Sequence, residues 1–196
     1  LHVGEMFARV ASGVARATVP NSFESYTSIV IPEDVMGRVR HRYLPDSEET
    51  SIVAVYVGAS VSSRRWPTEH FAAIADHVAA VWEANVLILT GISLVEQAIG
   101  LEIEELIKRH DRVQLVAGLD LPSLAGAIGL ASLLVSNDTG PMHIGPALGV
   151  PTLGIFSQSS PVHYRPVGPG DRYVKKKHIE EVTVAEVIEI MCQMRD

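Results

Sequence analysis

From residue 52 onward, short runs rich in β-branched residues alternate with segments of helical spacing, and nearly every run stops at a glycine or a small polar loop. Strands separated by helix-length segments cannot close as hairpins. They pair in parallel, with helices laid across both faces of one sheet. The runs fall at residues 52–57, 86–90, 113–116, 133–136 and 152–156, with a short last strand at 172–174. Between them, residues 68–82 carry Phe71, Ile74, Ala75, Val78, Val81 and Trp82 at helical spacing, and Pro67 suits the first turn. Leu94, Ala98 and Leu101 read as the stripe of a second helix, with Glu102, Glu104 and Glu105 facing water. Residues 121–131 form a third helix. Val184, Val187, Ile188 and Met191 line a terminal helix that Thr183 can cap. The predicted fold class is α/β, a Rossmann-like parallel sheet.

Residues 1–50 do not join this pattern. They read as a helix over 3–17, a lone strand over 28–31, a charged helix over 34–43 and a polar linker at 45–49. The expected division is therefore a connecting segment, 1–50, and a Rossmann-like domain, 51–196. The chain starts at Leu1 inside a helical pattern, which is expected of a piece of a longer polypeptide.

Composition narrows the function. The net charge of −7 argues against nucleic acid as partner, because phosphate backbones require clustered Lys and Arg. The one basic run, Lys175-Lys176-Lys177-His178, is short and reads as a solvated turn. A single cysteine, Cys192, excludes an intrachain disulfide and fits a reducing, cytoplasmic compartment. No apolar stretch is long enough to span a bilayer, and no signal peptide is visible.

The chemistry-bearing residues lie in the loops after the strands. In open parallel sheets ligands bind at the carboxyl ends of the strands, near the reversal of strand order. With a Rossmann order the first and fourth strands are neighbours, and their loops flank one crevice. The fourth loop, Ser136-Asn137-Asp138-Thr139-Gly140-Pro141-Met142-His143, joins a strand to a short helix. Such a glycine-bearing turn presents backbone N–H groups to an anion, usually phosphate. The first loop, from Gly58 to Pro67, adds Ser60, Ser62 and Ser63 with Arg64 and Arg65. Guanidinium groups pair bidentately with phosphate oxygens and keep their charge. His143 fits either this site or a capping role. A hydrolytic triad of Ser136, Asp138 and His143 is disfavoured, since triad members normally come from separate loops. The chain has no G-x-G-x-x-G after its first strand, no P-loop and no metal-ligand spacing among its eight histidines.

The stretch SNDTGPMHIGPALG at 136–149, followed by VPTLGIF, resembles the glycosyltransferases of the bacterial heptosyltransferase family. GASVSSRRWPTEHFAAIADHV at 58–78 is similar to that family's G-A-S-x-x-K-R-W-P-x-E-x-F loop and helix. The likeness covers roughly residues 50–194. It implies the C-terminal, donor-binding half of a GT-B enzyme, in which two Rossmann-like domains face each other across a cleft. The donor is a nucleotide sugar, usually ADP-heptose, and neither cofactor nor metal is expected. Ser60 and Arg64 would meet the diphosphate, and Asp138, Thr139, Gly140, Pro141, Met142 and His143 would line its sugar end. Leu119 would lie near the base and Glu96 would reach the ribose. The catalytic base and the lipopolysaccharide-core acceptor belong to the N-terminal domain, so no catalytic residue is expected here. Through that domain the full-length protein is expected to contact the cytoplasmic face of the inner membrane peripherally.

Three departures from the family pattern stand out. Arg64 replaces a lysine, Gly145-Pro146 interrupts the helix after His143, and the segment after Arg165 is short. A different class of function is a non-catalytic module that binds a nucleotide or phosphosugar. A hydrolase using Asp138 and His143 is a third.

Overall fold

Buried strands whose neighbours are helices need apolar side chains on both faces, and the strands of this chain supply them. In the computed structural model, which describes residues 29–44 and 50–195, six strands form one sheet. They are β1 (Ile52–Tyr56), β2 (Asn85–Gly91), β3 (Val113–Leu119), β4 (Leu133–Asn137), β5 (Thr152–Phe156) and β6 (Arg172–Lys175). The order is β3-β2-β1-β4-β5-β6 and every pairing is parallel. This is the Rossmann order. The helices are α1 (Glu33–Tyr43), α2 (Thr68–Val81), α3 (Leu94–Leu106), α4 (Leu121–Gly129), α5 (Ile144–Ala147), α6 (Pro161–Tyr164) and α7 (Val184–Arg195).

The two-residue alternation of the strands divides the interior into two cores. Val53, Val55 and Val57 point to one face, where Trp66, Phe71, Ile74, Ile103, Val187 and Met191 join them. Ile52, Ala54 and Tyr56 point to the other, against Val39, Leu124, Ile128 and Val150. α1, α4 and α5 thus cover one face, and α2, α3 and α7 cover the other.

Several local readings are revised. In α3 the inward row is Ile99, Gly100 and Ile103, while Leu94 and Leu101 are 81% and 55% exposed. Gly100 decides the rotation. A Cβ there would lie 2.7 Å from Leu115 and 2.9 Å from Thr90, so this face alone lets the helix approach the sheet closely. β3 runs three residues past Val116 because Gly118 adopts φ +71° and donates its N–H to Thr90 Oγ1 at 3.1 Å. Residues 29–31 form no strand: Ile29 N–H donates to Ala147 O at 2.9 Å, at the end of α5, so it has no strand as its partner. Pro67 precedes α2 as its N-cap and does not sit within the first turn. The expected helix over 3–17 and the linker at 45–49 lie outside the described residues. At the chain's other end, Thr183 caps α7 in a reciprocal pair with Glu186, whose carboxylate accepts Thr183 N–H at 3.1 Å.

Candidate functional site

The strand order reverses between β1 and β4, and the loops that leave these strands meet above that point. Their junction is a single fully buried side chain, Asn137. Its Nδ2 donates to Val57 O at 3.0 Å and Gly58 O at 3.3 Å, and its Oδ1 accepts Trp66 N–H at 3.1 Å. One amide therefore holds both ends of the first loop. Ser157 Oγ, leaving β5, donates to Ser63 O at 2.8 Å and fixes the middle. Trp66 is buried, and its indole N–H donates to Val182 O at 2.8 Å. The loop itself tightens into a 3-10 turn, Ser62–Arg64.

Onto this frame the structure brings most of the residues expected from sequence. Ser60 is exposed at the loop's start. Arg64 Nη1 lies 3.4 Å from Asp138 Oδ2, with the two side chains 38% and 6% exposed. The carboxylate is thus a buried counter-charge that orients the arginine, and the arginine is the member of the pair that reaches solvent. Asp138 N–H is tied to Ile155 O at 3.1 Å, so it is not an anion donor. The amides of Thr139 and Gly140 have no acceptor among the described residues, and a side chain on Gly140 would meet nothing within 4 Å. Those two N–H groups and Arg64 are donors the crest offers, beside the exposed Ser60 hydroxyl. Pro141 and His143 are half-buried in the 3-10 turn Gly140–His143, which the short α5 continues.

Two expected residues are placed differently. Met142 is fully buried, and its sulfur sits where a Cβ on Gly154 would come within 2.7 Å, so its side chain serves the core and does not line the crevice. Leu119 pairs in register with Gly91 at the crest, but the residue is only 8% exposed and its side chain belongs to the second core. The triad reading fails on geometry: Ser136 is buried and its hydroxyl donates to Asn137 O at 2.9 Å, so Ser136 does not face the crevice as a nucleophile.

Glu96 stands at the neighbouring strand end. Its Oε2 accepts from Tyr56 Oη at 2.8 Å and from Gly91 N–H at 3.0 Å. Burial, then the hydrogen bond from the phenol to Glu96 and the charge of that carboxylate, push the Tyr56 pKa up, so the phenol remains a donor at neutral pH. A Cβ on Gly58 would collide with the Glu96 carboxylate and lie 2.7 Å from Tyr56 Oη, which explains the glycine after β1. Sequence reasoning missed Tyr56, and it missed the stapling roles of Asn137 and Ser157. The inward row of α3 was the available signal: Glu96 precedes Ile99, Gly100 and Ile103 at three, four and seven residues, so a carboxylate there must find partners. Among the described residues no three His, Cys, Asp or Glu side chains gather to hold a metal ion, and no helix is long and apolar enough to cross a membrane.

A doubly wound parallel sheet whose switch point carries a cation, free amides and a carboxylate defines an α/β domain of the class that holds phosphorylated ligands. Within that class the chain belongs to glycosyltransferase family 9 (heptosyltransferase), whose family model matches residues 27–189. It is 29% identical over 118 residues to lipooligosaccharide heptosyltransferase 2 of Campylobacter jejuni, covering 56% of this chain and 36% of that protein. The protein of the same name from Haemophilus influenzae is 27% identical over 123 residues, covering 61% and 35%. The chain thus spans about a third of the length of the curated relatives it matches. Among solved structures, a family 9 glycosyl transferase from Veillonella parvula superposes with a TM-score of 0.85 at 22% identity, covering 98% of this chain and 59% of that one. E. coli ADP-heptose lps heptosyltransferase II gives 0.74 at 21% identity, covering 85% and 53%. An E. coli heptosyltransferase solved with ADP gives 0.73 at 14% identity, covering 95% and 54%. The fold is that of one Rossmann-like half of these GT-B proteins.

Proposed function

We propose that this chain is the donor-binding half of an inverting glycosyltransferase, which transfers a sugar from a nucleotide sugar to a lipopolysaccharide-core or related glycan acceptor. ADP-heptose is the donor favoured by the family and by the relatives' names. The observation that carries the reading is the convergence of the first and fourth strand-end loops, locked by Asn137, in a chain of this family. The Thr139 and Gly140 amides and the Arg64 guanidinium would receive the diphosphate. Charge grows on the leaving β-phosphate as the acceptor hydroxyl attacks the anomeric carbon. Donors fixed in advance stabilise that charge without reorganising. Asp138 keeps Arg64 aimed, and Glu96 meets the ribose. Donor binding then needs no divalent ion.

The base that deprotonates the acceptor, and the acceptor itself, a glycolipid at the cytoplasmic face of the inner membrane, belong to the N-terminal domain. Proton removal typically contributes ~10²–10⁴-fold to rate, and positioning roughly 7–11 kcal/mol of barrier. Titration calorimetry against ADP, UDP, GDP and CDP, together with a transfer assay from ADP-heptose to a lipid A–Kdo acceptor, tests the proposal. The expected result is ADP-selective binding with no transfer by the 196-residue chain. Transfer by this chain alone would overturn the half-enzyme reading, and absence of any nucleotide binding would overturn the donor site.

A further inference from the structure

We infer that Tyr56 is a positioning residue for nucleotide recognition: it binds one oxygen of the Glu96 carboxylate so that the other stays open, above Gly58, to accept a ribose hydroxyl. The inference rests on the donor-site reading above and goes beyond it by assigning a role to a residue on β1. Glu96 occupies the third position of α3, on the helix row that turns inward. Its charge suits a helix N-terminus, where the exposed amides of the first turn carry partial positive charge. Burial next to a sheet still demands hydrogen bonds. Both donors that meet it, Tyr56 Oη at 2.8 Å and Gly91 N–H at 3.0 Å, are spent on Oε2. Oε1 has no hydrogen-bond partner among the described residues. It lies instead against the bare Cα of Gly58, the first residue of the loop that carries Ser60 and Arg64.

That asymmetry is what a ligand contact requires. A carboxylate retained only for packing gains by satisfying both oxygens, and here one is held out at the switch-point crest. The Gly91 amide is free to turn toward Glu96 because the β2–β3 register shifts between Leu89 and Gly91. The Tyr56 ring is anchored in the second core, so its hydroxyl is a fixed donor with little freedom left to lose on binding. A ribose hydroxyl donating to Oε1 would form a charge-assisted bond. Gly58 keeps the approach open. The ligand class selected is a ribonucleotide over its deoxy counterpart.

Titration calorimetry of wild type, Tyr56→Phe and Glu96→Gln with ADP and with 2′,3′-dideoxy-ADP tests the inference. Wild type should prefer ADP. Tyr56→Phe should weaken ADP by roughly three- to tenfold, the range of one net hydrogen bond, and leave dideoxy-ADP unchanged. In the Glu96→Gln background the Tyr56 substitution should have little further effect on ADP, as coupled residues require. Gly58→Ala, which drives the carboxylate off its seat without removing either side chain, should erase the same preference, and it serves as the test if Tyr56→Phe does not fold. Equal weakening of both nucleotides by Tyr56→Phe would mark the phenol as merely structural and overturn the inference. So would an unchanged ADP affinity, or a wild type that does not distinguish the two ligands. If wild type binds neither nucleotide, the donor site itself is wrong, and the inference falls with it.

Discussion

Removing the Asn137 amide should unfasten the crest. Asn137→Ala deletes three hydrogen bonds at 3.0, 3.3 and 3.1 Å from a fully buried position. The Trp66 N–H is left inside without an acceptor, which costs about 1–3 kcal/mol, and the Val57 and Gly58 carbonyls each lose a donor worth up to about 1 kcal/mol. The sum is about 3 kcal/mol. For a domain of this length that lowers the melting temperature by about 6–12 °C, measured by calorimetry or circular dichroism. ADP affinity should fall as well, because the two loops lose their shared anchor. Asn137→Asp keeps an acceptor for Trp66 but sets an anionic oxygen against two carbonyls. Its deficit should therefore be at least as large at pH 7.5 and should shrink as the pH drops and the carboxyl gains a proton to donate. A melting temperature within about 2 °C of wild type for Asn137→Ala, with ADP binding retained, would refute the argument that this side chain carries the site.

Other expectations follow the same logic. Arg64→Ala should weaken ADP about tenfold or more, since a hydrogen bond to a charged group is worth roughly 1.5–3 kcal/mol; an unchanged dissociation constant would remove Arg64 from the site. ADP binding should be equal in excess chelator and in magnesium, and a strong magnesium requirement in the same titration would contradict metal-free recognition. Asp171, whose Oδ1 accepts Thr152 N–H at 2.8 Å, has its pKa raised to about 6, chiefly by burial. Its native state prefers the protonated form, so the stability it contributes is fully present below the unfolded value near 4 and is lost as pH rises through about 6. Asp171→Asn should accordingly gain on wild type in melting temperature between pH 4 and pH 7.5, and parallel pH curves for the two proteins would exclude that origin.

The sheet was legible in the sequence because its signals are local. Runs such as 152–156 are bounded by punctuating residues, and the structure reproduces β5 residue for residue. The crest loops were legible for the same reason: glycine, hydroxyl and arginine cluster where a strand ends. What escaped was long-range. Asn137 sits within the motif, yet its partners lie 71, 79 and 80 residues away, and no spacing rule connects them. The α3 stripe was misjudged because two adjacent helix rows are both apolar; only the close approach at Gly100 selects between them. Met142 sits in the motif but turns inward, since Gly154 on the adjacent strand leaves a hollow for its sulfur. A motif gives the backbone path, and the neighbouring strand decides which side chains face out.

The bond from the Trp66 indole to Val182 O joins residues 116 positions apart, immediately ahead of α7. A ribosome making this chain has long since finished the first loop before Val182 emerges. The loop therefore acquires its final shape only when the closing segment arrives, and such non-local closure is slow to form. Once made, it ties the loop's opening to the detachment of that segment. The hydrogen-bonded amide protons of Arg64, Arg65 and Trp66 should then exchange with solvent at the rate of the sheet's global opening and not as a local fluctuation. A protease that trims α7 should release them together.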